Sequence, residues 1–353
     1  MSKFFSQKYK NLTPYVPGEQ PKEREYIKLN TNESPFPPSK LAIKKAREES
    51  KKLYLYSDPD SKQLTNTVAD YYGVKSEQVI MTNGSDEVLN FAFMAYSDKD
   101  NPAVFADITY GFYKVFAEIN NVPYKEIPLK DDFSIDIDDY IKENGTAFIA
   151  NPNAPTGVYL PLSEIERLLA SNPDRIVVID EAYIDFGGQS AISLIDKYDN
   201  LLVTQTFSKS RSMAGARLGF GIASKAIIND LVSIKYSTNP YNVNRMTAGA
   251  GIGAIVDDKY FKKNCQTIIE NREYTVRELV NLGFTVTDSK TNFVFAKHEN
   301  ISGEKLYLKL KERGILVRHF NKERIKDYTR ITIGSISQMK VLIKEIKNIL
   351  ENK

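Results

Sequence analysis

The sequence predicts an α/β fold in which a large domain with a mostly parallel sheet is followed by a smaller α+β domain. Short apolar runs bounded by turn-forming residues are typical of buried strands. They lie at 78–81, 103–106, 147–150, 175–180 and 201–206. Amphipathic helical patterns, such as Ser85–Tyr96 and Leu162–Ser171, lie between several of these runs. Because strands and helices alternate, we expect the sheet to be covered by helices on both faces.

The chain divides into three regions that differ in composition and hydrophobic pattern. The first thirty residues carry Pro14, Pro17 and Pro21 among polar residues, which predicts an extended N-terminal arm over residues 1–28. A helix is predicted at Lys40–Lys52, at the start of a large domain spanning residues 29–240.

Residues 241–353 are predicted to form the smaller domain. A continuous helical pattern covers Arg245–Leu282, and a second one covers Glu304–Arg313. Three short apolar stretches surround the second helix and read as strands. Three strands with two flanking helices are typical of an α+β unit.

Composition excludes several classes of protein. The 353 residues include 48 Lys and Arg against 45 Asp and Glu, and a net charge of +3 argues against a nucleic-acid partner. No apolar run is long enough to span a membrane, and the first residues lack the apolar core of a signal peptide. A single cysteine, Cys265, fits a reducing compartment, so we expect a cytoplasmic enzyme. Two histidines, His298 and His319, argue against a histidine-rich metal site or a Ser-His-Asp hydrolase, and no metal is predicted.

Ligands of parallel α/β sheets bind beyond the carboxyl ends of the strands, and polar residues follow each predicted strand. Gly84, Ser85 and Asp86 open a helix, where backbone N–H groups suit a phosphate, although Ser85 or Asp86 would serve equally well as an ordinary N-cap. Tyr110 follows the second strand, and the rigid loop NPNAPTG at 151–157 follows the third.

The residues best suited to catalysis follow the last two predicted strands. A carboxylate such as Asp180, at the end of a buried strand, is costly unless it is paired. Lys209 follows the next strand, and Arg217 stands eight residues later. A lysine in a loop is usually solvated, but in a dry cleft its amine can act as nucleophile and base.

This ordered set of residues resembles the fold-type-I pyridoxal-phosphate (PLP) aminotransferases over essentially the whole chain, which implies a seven-stranded central sheet. The resemblance implies that Lys209 holds PLP as a Schiff base and moves the substrate proton, and that Asp180 keeps the pyridine nitrogen protonated. Tyr183 would hydrogen-bond the ring oxygen and Tyr110 would stack on the ring. The residues implied for the phosphate are Gly84, Ser85, Asp86, Thr206, Ser208 and Arg217.

One position departs from the family pattern. The family usually has Asn-Asn-Pro-Thr-Gly in the loop after the third strand, and the asparagine before the proline contacts the ring oxygen. Ala154 occupies that position here, and Asn153 is the nearest substitute. We therefore predict Asn153 as the contact with the cofactor.

Features outside the cofactor site resemble the histidinol-phosphate aminotransferases. They are the arm motif NLTPYVPG at 11–18, LNTNESPFPPS at 29–39, YSDPDS at 56–61, and the stretches GILVRHF and TRITIGS near the C-terminus. The resemblance implies a histidine-biosynthesis enzyme that interconverts L-histidinol phosphate and 2-oxoglutarate with imidazole-acetol phosphate and L-glutamate.

The same resemblance implies the substrate contacts and a homodimer. Arg330 would bind the glutamate α-carboxylate, whereas Tyr15 and Arg318 would reach the substrate phosphate. Asn32 is a further predicted substrate contact. Tyr56 would cross to the cofactor phosphate of the partner subunit, which makes the dimer necessary for activity.

The sequence supports other functions less well. Gly249–Ala254 fits the dinucleotide pattern G-x-G-x-x-A, but no strand precedes it, so a closely packed small-residue helix is favoured. A PLP-fold transcriptional regulator would need a DNA-binding module, for which the chain has no spare segment. An aromatic or broad-specificity aminotransferase and a threonine-phosphate decarboxylase share the cofactor residues and stay open as alternatives.

Overall fold

The computed structural model of the protein describes residues 2–10, 12–21 and 23–351. Met1, Asn11 and Lys22 of the predicted arm, and residues 352–353 of the predicted small domain, lie outside the described residues. The α-helices are α1 (Lys40–Ser50), α2 (Lys62–Tyr72), α3 (Ser85–Tyr96), α4 (Phe112–Asn120), α5 (Ile137–Ile141), α6 (Leu162–Ser171), α7 (Lys225–Thr238), α8 (Arg245–Val256), α9 (Asp258–Asn281), α10 (Gly303–Glu312) and α11 (Ile336–Glu351).

Within the described part of the chain, the strands form three sheets. They are β1 (Ile27–Lys28), β2 (Val79–Thr82), β3 (Ala103–Ala106), β4 (Tyr124–Ile127), β5 (Thr146–Ala150), β6 (Val177–Asp180), β7 (Leu201–Thr206), β8 (Gly219–Ala223), β9 (Phe284–Val286), β10 (Phe293–His298), β11 (Ile315–Leu316), β12 (Arg318–His319) and β13 (Tyr328–Thr332). The central sheet has seven strands in the order β2-β8-β7-β6-β5-β3-β4, in which only β8 runs antiparallel to its neighbours.

The mostly parallel sheet confirms the predicted fold class, and all of its strands except β4 are fully buried. All residues of β6 and β7 are buried. Val177 and Ile179 contribute to one apolar cluster, whereas Val178, between them, contributes to another. Because alternate residues point to opposite faces of a strand, the two clusters lie on the two sides of the sheet. This double burial explains why β6 and β7 were readable from their continuous apolar runs.

The smaller sheet is antiparallel, with the order β12-β13-β10-β9. It packs against α9, α10 and α11 around an apolar cluster that includes Ile268, Val294, Ile331 and Leu342. β1 pairs in parallel with β11, and Leu29 is buried in the same cluster. The end of the arm therefore forms a separate two-stranded sheet with β11, although the two strands are distant in sequence.

The predicted continuous helix over Arg245–Leu282 is wrong, because the chain forms α8 and α9 with a break at Asp257. Asp257 leaves the helical conformation, with φ −84° and ψ 54°, and Asp258 begins the new helix. Acidic residues in a first turn are favoured by the helix dipole, so the Asp-Asp pair carried the signal for this break.

Gly249–Ala254 lies within α8, which confirms the small-residue helix and excludes the dinucleotide loop. A Cβ atom on Gly253 would lie 2.6 Å from Ala42 Cα of α1, and one on Gly249 would lie 2.9 Å from the Lys45 carbonyl oxygen. The glycines therefore allow α1 and α8 to pack in close contact. Ile252 and Ile255 of α8 belong to the larger apolar cluster. The domain boundary at residue 241 stays a prediction.

No helix of the described ranges 2–10, 12–21 and 23–351 combines the length and the apolar character needed to cross a membrane.

Candidate active site

The carboxyl end of the central sheet brings the predicted residues together. Asp180 is the last residue of β6 and Thr206 the last of β7, and these strands run parallel. Gly219 of β8 pairs with Thr206 on one side and with Thr82 of β2 on the other. The chain segments that follow β2, β6 and β7 therefore meet at one edge of the sheet.

A cavity of about 180 Å³ lies at this edge, and we call it the inner cavity. Nine of the predicted site residues line it: Ser85, Asp86, Tyr110, Asp180, Tyr183, Thr206, Ser208, Lys209 and Arg217. They come from five separate stretches of the chain. Their convergence was predicted from the strand-end rule and depends on the parallel order of the sheet.

Asp180 is buried at the floor of the inner cavity, with 5% of its surface exposed. Its Oδ2 accepts a hydrogen bond from Tyr113 Oη at 3.1 Å, and its Oδ1 accepts one from the Ala182 N–H at 3.2 Å. Desolvation raises the pKa of the carboxyl to about 7, and the hydrogen bonds only partly oppose it. Asp180 is thus a buried acid prepared for a cationic partner.

The N-terminus of α3 forms an anion cradle on one side of the inner cavity. Gly84 is the N-cap, with φ +80° and no side-chain cap bond, so neither Ser85 nor Asp86 acts as the ordinary N-cap. A Cβ atom at residue 84 would lie 2.8 Å from Arg217 Nη2, so glycine permits the arginine to approach the helix end. Arg217 Nη2 donates to Asp86 Oδ2 at 3.0 Å.

Two hydroxyls complete the cradle. Thr206 Oγ1 lies 2.9 Å from Ser208 Oγ, and Arg217 Nη1 donates to Ser208 Oγ at 3.4 Å. Backbone N–H groups at a helix start, hydroxyls and a guanidinium form a donor set suited to a phosphate.

Lys209 projects into the inner cavity from the loop after β7. Its Nζ donates to the Thr31 carbonyl oxygen at 3.3 Å and lies 5.8 Å from the centre of the Tyr183 ring. Tyr183 Oη accepts a hydrogen bond from Asn32 Nδ2 at 2.9 Å. Asn32 has φ +56° and is held by Thr332 Oγ1, which bonds both its backbone N–H and its Oδ1. The smaller sheet thereby positions Tyr183 through Asn32.

A second cavity, of about 370 Å³, adjoins the first, and we call it the outer cavity. Tyr110, Tyr183 and Lys209 line both cavities, so the two are continuous. The predicted substrate contacts Tyr15, Asn32, Arg318 and Arg330 all line the outer cavity.

Arg330 is a partly buried cation of the outer cavity. Its Nη2 donates to the Asn30 carbonyl oxygen at 3.0 Å, while its buried Nε has no partner among the described residues. Burial lowers its pKa from the ordinary value. Arginine keeps its charge despite such a shift, so Arg330 presents an uncompensated positive group to the cavity.

Arg318 and Tyr15 connect the arm to the rim of the outer cavity. Arg318 donates to the carbonyl oxygens of Val16 at 3.2 Å and Pro17 at 3.3 Å. The Tyr15 ring stacks on Phe112 of α4 at 4.3 Å between centroids. The arm therefore reaches from β12 of the smaller sheet to α4 across the rim of the outer cavity.

Three predicted cofactor residues do not line the cavities: Gly84, which begins α3 beside the inner cavity, Asn153 and Tyr56. Asn153 is 2% exposed, and its amide bonds Ile108 O, Thr156 Oγ1 and Thr109 Oγ1 within the loop, whereas Ala154 lines both cavities. Tyr56 is 81% exposed and stacks on Tyr241 at 4.7 Å.

Sequence reasoning missed three residues of the inner site. Tyr113 holds the Asp180 carboxylate, and its position three residues after Tyr110 at the start of a helix was an available signal. Thr31 and Glu33 also line the inner cavity. They arrive there only because β1 pairs with β11, which no local pattern reveals.

Comparisons with known proteins agree with this geometry. The sequence model of the family "Aminotransferase class I and II" matches residues 24–346. Histidinol-phosphate aminotransferase of Brachyspira hyodysenteriae is 50% identical over 100% of both chains, and that of Clostridium botulinum (strain Okra) is 47% identical over 99% of both. The crystal structure of histidinol-phosphate aminotransferase from Sinorhizobium meliloti in complex with pyridoxal-5'-phosphate superposes with a TM-score of 0.88, at 21% identity and 99% coverage of both chains. The chain therefore belongs to the aminotransferase class I and II family and, within it, to the histidinol-phosphate aminotransferases.

Proposed function

We propose that the protein uses pyridoxal 5'-phosphate to transfer an amino group between L-histidinol phosphate and 2-oxoglutarate in histidine biosynthesis. The observation that carries this proposal is the continuity of the two cavities. A lysine amine and a buried carboxyl line the inner cavity, and the outer cavity, which the lysine also lines, presents two arginines. The full-length relatives of 47–50% identity are named histidinol-phosphate aminotransferases, which supports histidinol phosphate as the amino donor.

The inner cavity fits the cofactor. The donor set around the N-terminus of α3 suits its phosphate, and glycine at 84 leaves the space in which Arg217 approaches. Asp180 would lie against the pyridine nitrogen, where a proton on the nitrogen supplies the cation that the buried carboxylate otherwise lacks. Tyr183 and Tyr110 would contact the ring oxygen and the ring face.

When bound, PLP supplies an aldehyde that condenses with amines and a ring that withdraws electrons from the carbon bearing the amino group. Side chains of the protein would transfer the proton, hold the ring nitrogen protonated and orient the substrate. Lys209 Nζ would take the proton from the substrate carbon that bears the amino group and return it to the cofactor carbon, since Lys209 is the amine that lines both cavities. Asp180 would keep the ring nitrogen protonated, and Arg330 would orient glutamate by pairing with its α-carboxylate.

Arg318 and Arg330 are expected to bind different substrates, Arg318 the phosphate of histidinol phosphate and Arg330 the carboxylate of glutamate. Removing a charged hydrogen-bond partner from a desolvated site costs about 1.5–3 kcal/mol. Arg318→Ala should lower kcat/KM for histidinol phosphate by roughly tenfold to a hundredfold, because the phosphate loses its guanidinium and the arm loses two hydrogen bonds. Arg330→Ala should chiefly damage the half-reaction with glutamate.

The measurement is the rate of single-turnover amine transfer without 2-oxoglutarate over a series of donor concentrations, which gives kcat/KM for each donor from the imidazole-acetol phosphate or imidazole-acetol formed. L-Histidinol, which lacks the phosphate, is the matched donor, and Arg277→Ala, an exposed arginine, is the control variant. Equal losses for both donors in Arg318→Ala would make that arginine structural and favour a broad-specificity aminotransferase. Release of carbon dioxide from threonine phosphate would favour the decarboxylase.

A homodimer is part of this proposal. Leu53, Tyr54, Leu55 and Tyr56 form a contiguous apolar segment, and each is between 49% and 84% exposed. Four adjacent exposed apolar residues are unusual on a monomer and typical of an interface. The exposed Tyr56 lies on this segment, as a residue that reaches a partner's cofactor site requires. A cytoplasmic location, supported by the single cysteine, also belongs to the proposal.

We expect sedimentation equilibrium to give a dimer and the double variant Leu53→Asp/Leu55→Asp to give a monomer of much lower activity, because charged groups would be buried at the interface. Leu308→Asp places the same charge on a leucine that is 48% exposed on α10, and it should leave the dimer intact. A wild-type protein that is monomeric at full activity would refute the dimer and the role of Tyr56.

A further inference from the structure

Lys322 lies on a loop that the large domain holds firmly in place. The loop joins β12 and β13, and Ile325 within it is 1% exposed. Arg324 Nη1 pairs with Asp107 Oδ2 at 2.9 Å, and its Nη2 donates to the carbonyl oxygens of Leu129 and Lys130. These contacts fix the backbone of the loop at the end of β3. The backbone at Lys322 is therefore held in place, unlike the backbone at a lysine on a free surface loop.

The ammonium of Lys322 lines the outer cavity without a counter-ion. Its Nζ donates to the Asp107 carbonyl oxygen at 3.0 Å, which leaves two N–H donors for another acceptor. The Asp107 carboxylate itself is occupied by Arg324 and by the Leu129 N–H. Within the described residues, Lys322 forms no ion pair.

The other cations of the outer cavity are held in the same manner. Lys209, Arg318 and Arg330 each donate to backbone carbonyl oxygens, and none is in an ion pair among the described residues. No aspartate or glutamate is found among the described residues that line this cavity. Besides Lys209, which the proposed function assigns to the cofactor, three positive groups thus face one cavity that has no carboxylate among its described wall residues. Such a wall favours a ligand that carries several negative charges.

The proposed substrates need one more cation than the predicted contacts supply. A phosphate monoester carries between 1.5 and 2 negative charges near pH 7. Arg318 supplies one positive charge at the rim, and Arg330 is assigned to the carboxylate of glutamate. Glutamate and 2-oxoglutarate also carry a second, distal carboxylate. A lysine suits both ligands, because its flexible stem and rotatable donors can follow anions at different distances.

We propose that Lys322 is a specificity-determining residue that binds the distal anionic group of each substrate, which is the phosphate of the amino donor and the distal carboxylate of the dicarboxylate. This inference rests on the proposed function and adds a residue to its substrate site. Lys322 works beside Arg318, and its charge selects anionic substrates over neutral or aromatic ones.

The test uses the complete holoenzyme and two pairs of substrates that differ only in the distal anion. They are histidinol phosphate against L-histidinol, and glutamate against 2-aminobutyrate. In Lys322→Gln, KM should rise about tenfold for histidinol phosphate and for glutamate, equivalent to about 1.4 kcal/mol each, with kcat nearly unchanged. L-Histidinol and 2-aminobutyrate should be unaffected, and the dependence of KM on salt should weaken for the anionic members.

Two further variants make the result specific. Lys322→Arg should restore most of the affinity, because the charge returns. Lys326→Gln removes a lysine from the same loop that pairs with Glu323 outside the cavity wall, and it should behave like the wild type. Lys322→Gln kinetics equal to those of Lys326→Gln, or equal losses for both members of a pair, would overturn the proposal.

If the proposed function is wrong, the experiment gives a different result from the one expected if only the role of Lys322 is wrong. A wild-type protein that does not turn over histidinol phosphate refutes that substrate. The glutamate pair then still decides the role of Lys322, since a selective rise in the KM for glutamate supports it and an unselective one refutes it.

Discussion

Lys209→Ala is expected to lose covalent attachment of the cofactor and nearly all turnover. The lysine amine is the group that lines both cavities and moves the proton, and alanine can perform neither task. Holoenzyme is treated with borohydride, digested and mapped by mass spectrometry, and turnover is measured with histidinol phosphate and 2-oxoglutarate. We expect the wild-type protein to carry the reduced cofactor on the peptide containing Lys209, and the variant to carry none.

The chain provides a control for burial alone. Lys235 is 3% exposed, and its Nζ is bound to the Pro59 carbonyl oxygen, away from both cavities. The label should not appear on the peptide containing Lys235, although burial lowers the pKa of that lysine. If Lys209→Ala turned over substrate at the wild-type rate, the proposed mechanism would be wrong as a whole.

Asp180→Asn is expected to retain some cofactor but to lose activity by several orders of magnitude. Asparagine keeps the shape of the side chain and removes the charge that holds the ring nitrogen protonated. Each tenfold loss of rate corresponds to about 1.4 kcal/mol of barrier, and a buried ion pair can contribute several such steps. The measurement is kcat at saturating cofactor. A variant with more than about a tenth of the wild-type kcat would show that Asp180 does not act in this way.

Glu181→Gln is the matched control, because Glu181 is an equally buried carboxyl one residue further on. Its oxygens accept hydrogen bonds from Ser190 Oγ, the Ala191 N–H and Gln205 Nε2, and it does not line the inner cavity. Burial raises its pKa to about 7, as it does for Asp180. We expect Glu181→Gln to change stability more than kcat.

The pH dependence of stability gives Asp180→Asn a second readout, in the cofactor-free protein. The folded carboxyl has its pKa raised to about 7 from 3.8, so between pH 4 and pH 7 the folded state retains a proton that the unfolded chain has released. Stability then falls as the pH rises through this window. The Tm of Asp180→Asn should therefore exceed that of the wild type by a margin that grows from pH 4 to pH 7. A margin independent of pH would contradict a buried, protonated Asp180.

Much of the central sheet and its helices was predictable from local pattern. The strands β2, β3, β5, β6 and β7 are fully buried, so they appear as continuous apolar runs, and α3 and α6 carry amphipathic patterns that match their observed bounds. β4 was not recognised, because two of its four residues are exposed and its sequence YKEI has no apolar run. The break at Asp257 was missed although its Asp-Asp pair was visible.

The outer cavity was less predictable, because it depends on contacts between distant segments. Arg318 and Arg330 were named by resemblance, but their attachment to Val16, Pro17 and Asn30 follows from the path of the arm. Asn153 was chosen by position in the loop, whereas its amide is occupied by loop hydrogen bonds and its role stays a prediction. Lys322 was not singled out, since nothing nearby in the sequence distinguishes it from other surface lysines.

The sequence by itself determined the α/β class, the order of the strands that end in Asp180 and Thr206, and the lysine that follows them. These features depend on apolar burial and turn chemistry, which act over a few residues and leave a local pattern. Only the tertiary structure decided which cations share the outer cavity and that no carboxylate among its described residues neutralises them. The physical reason is that the arm, the β12–β13 loop and the end of β3 meet through pairings between segments up to about three hundred residues apart, such as Arg318 with Val16. The charge of a cavity depends on which side chains line it, and no pattern over a few neighbouring residues shows which distant side chains these are.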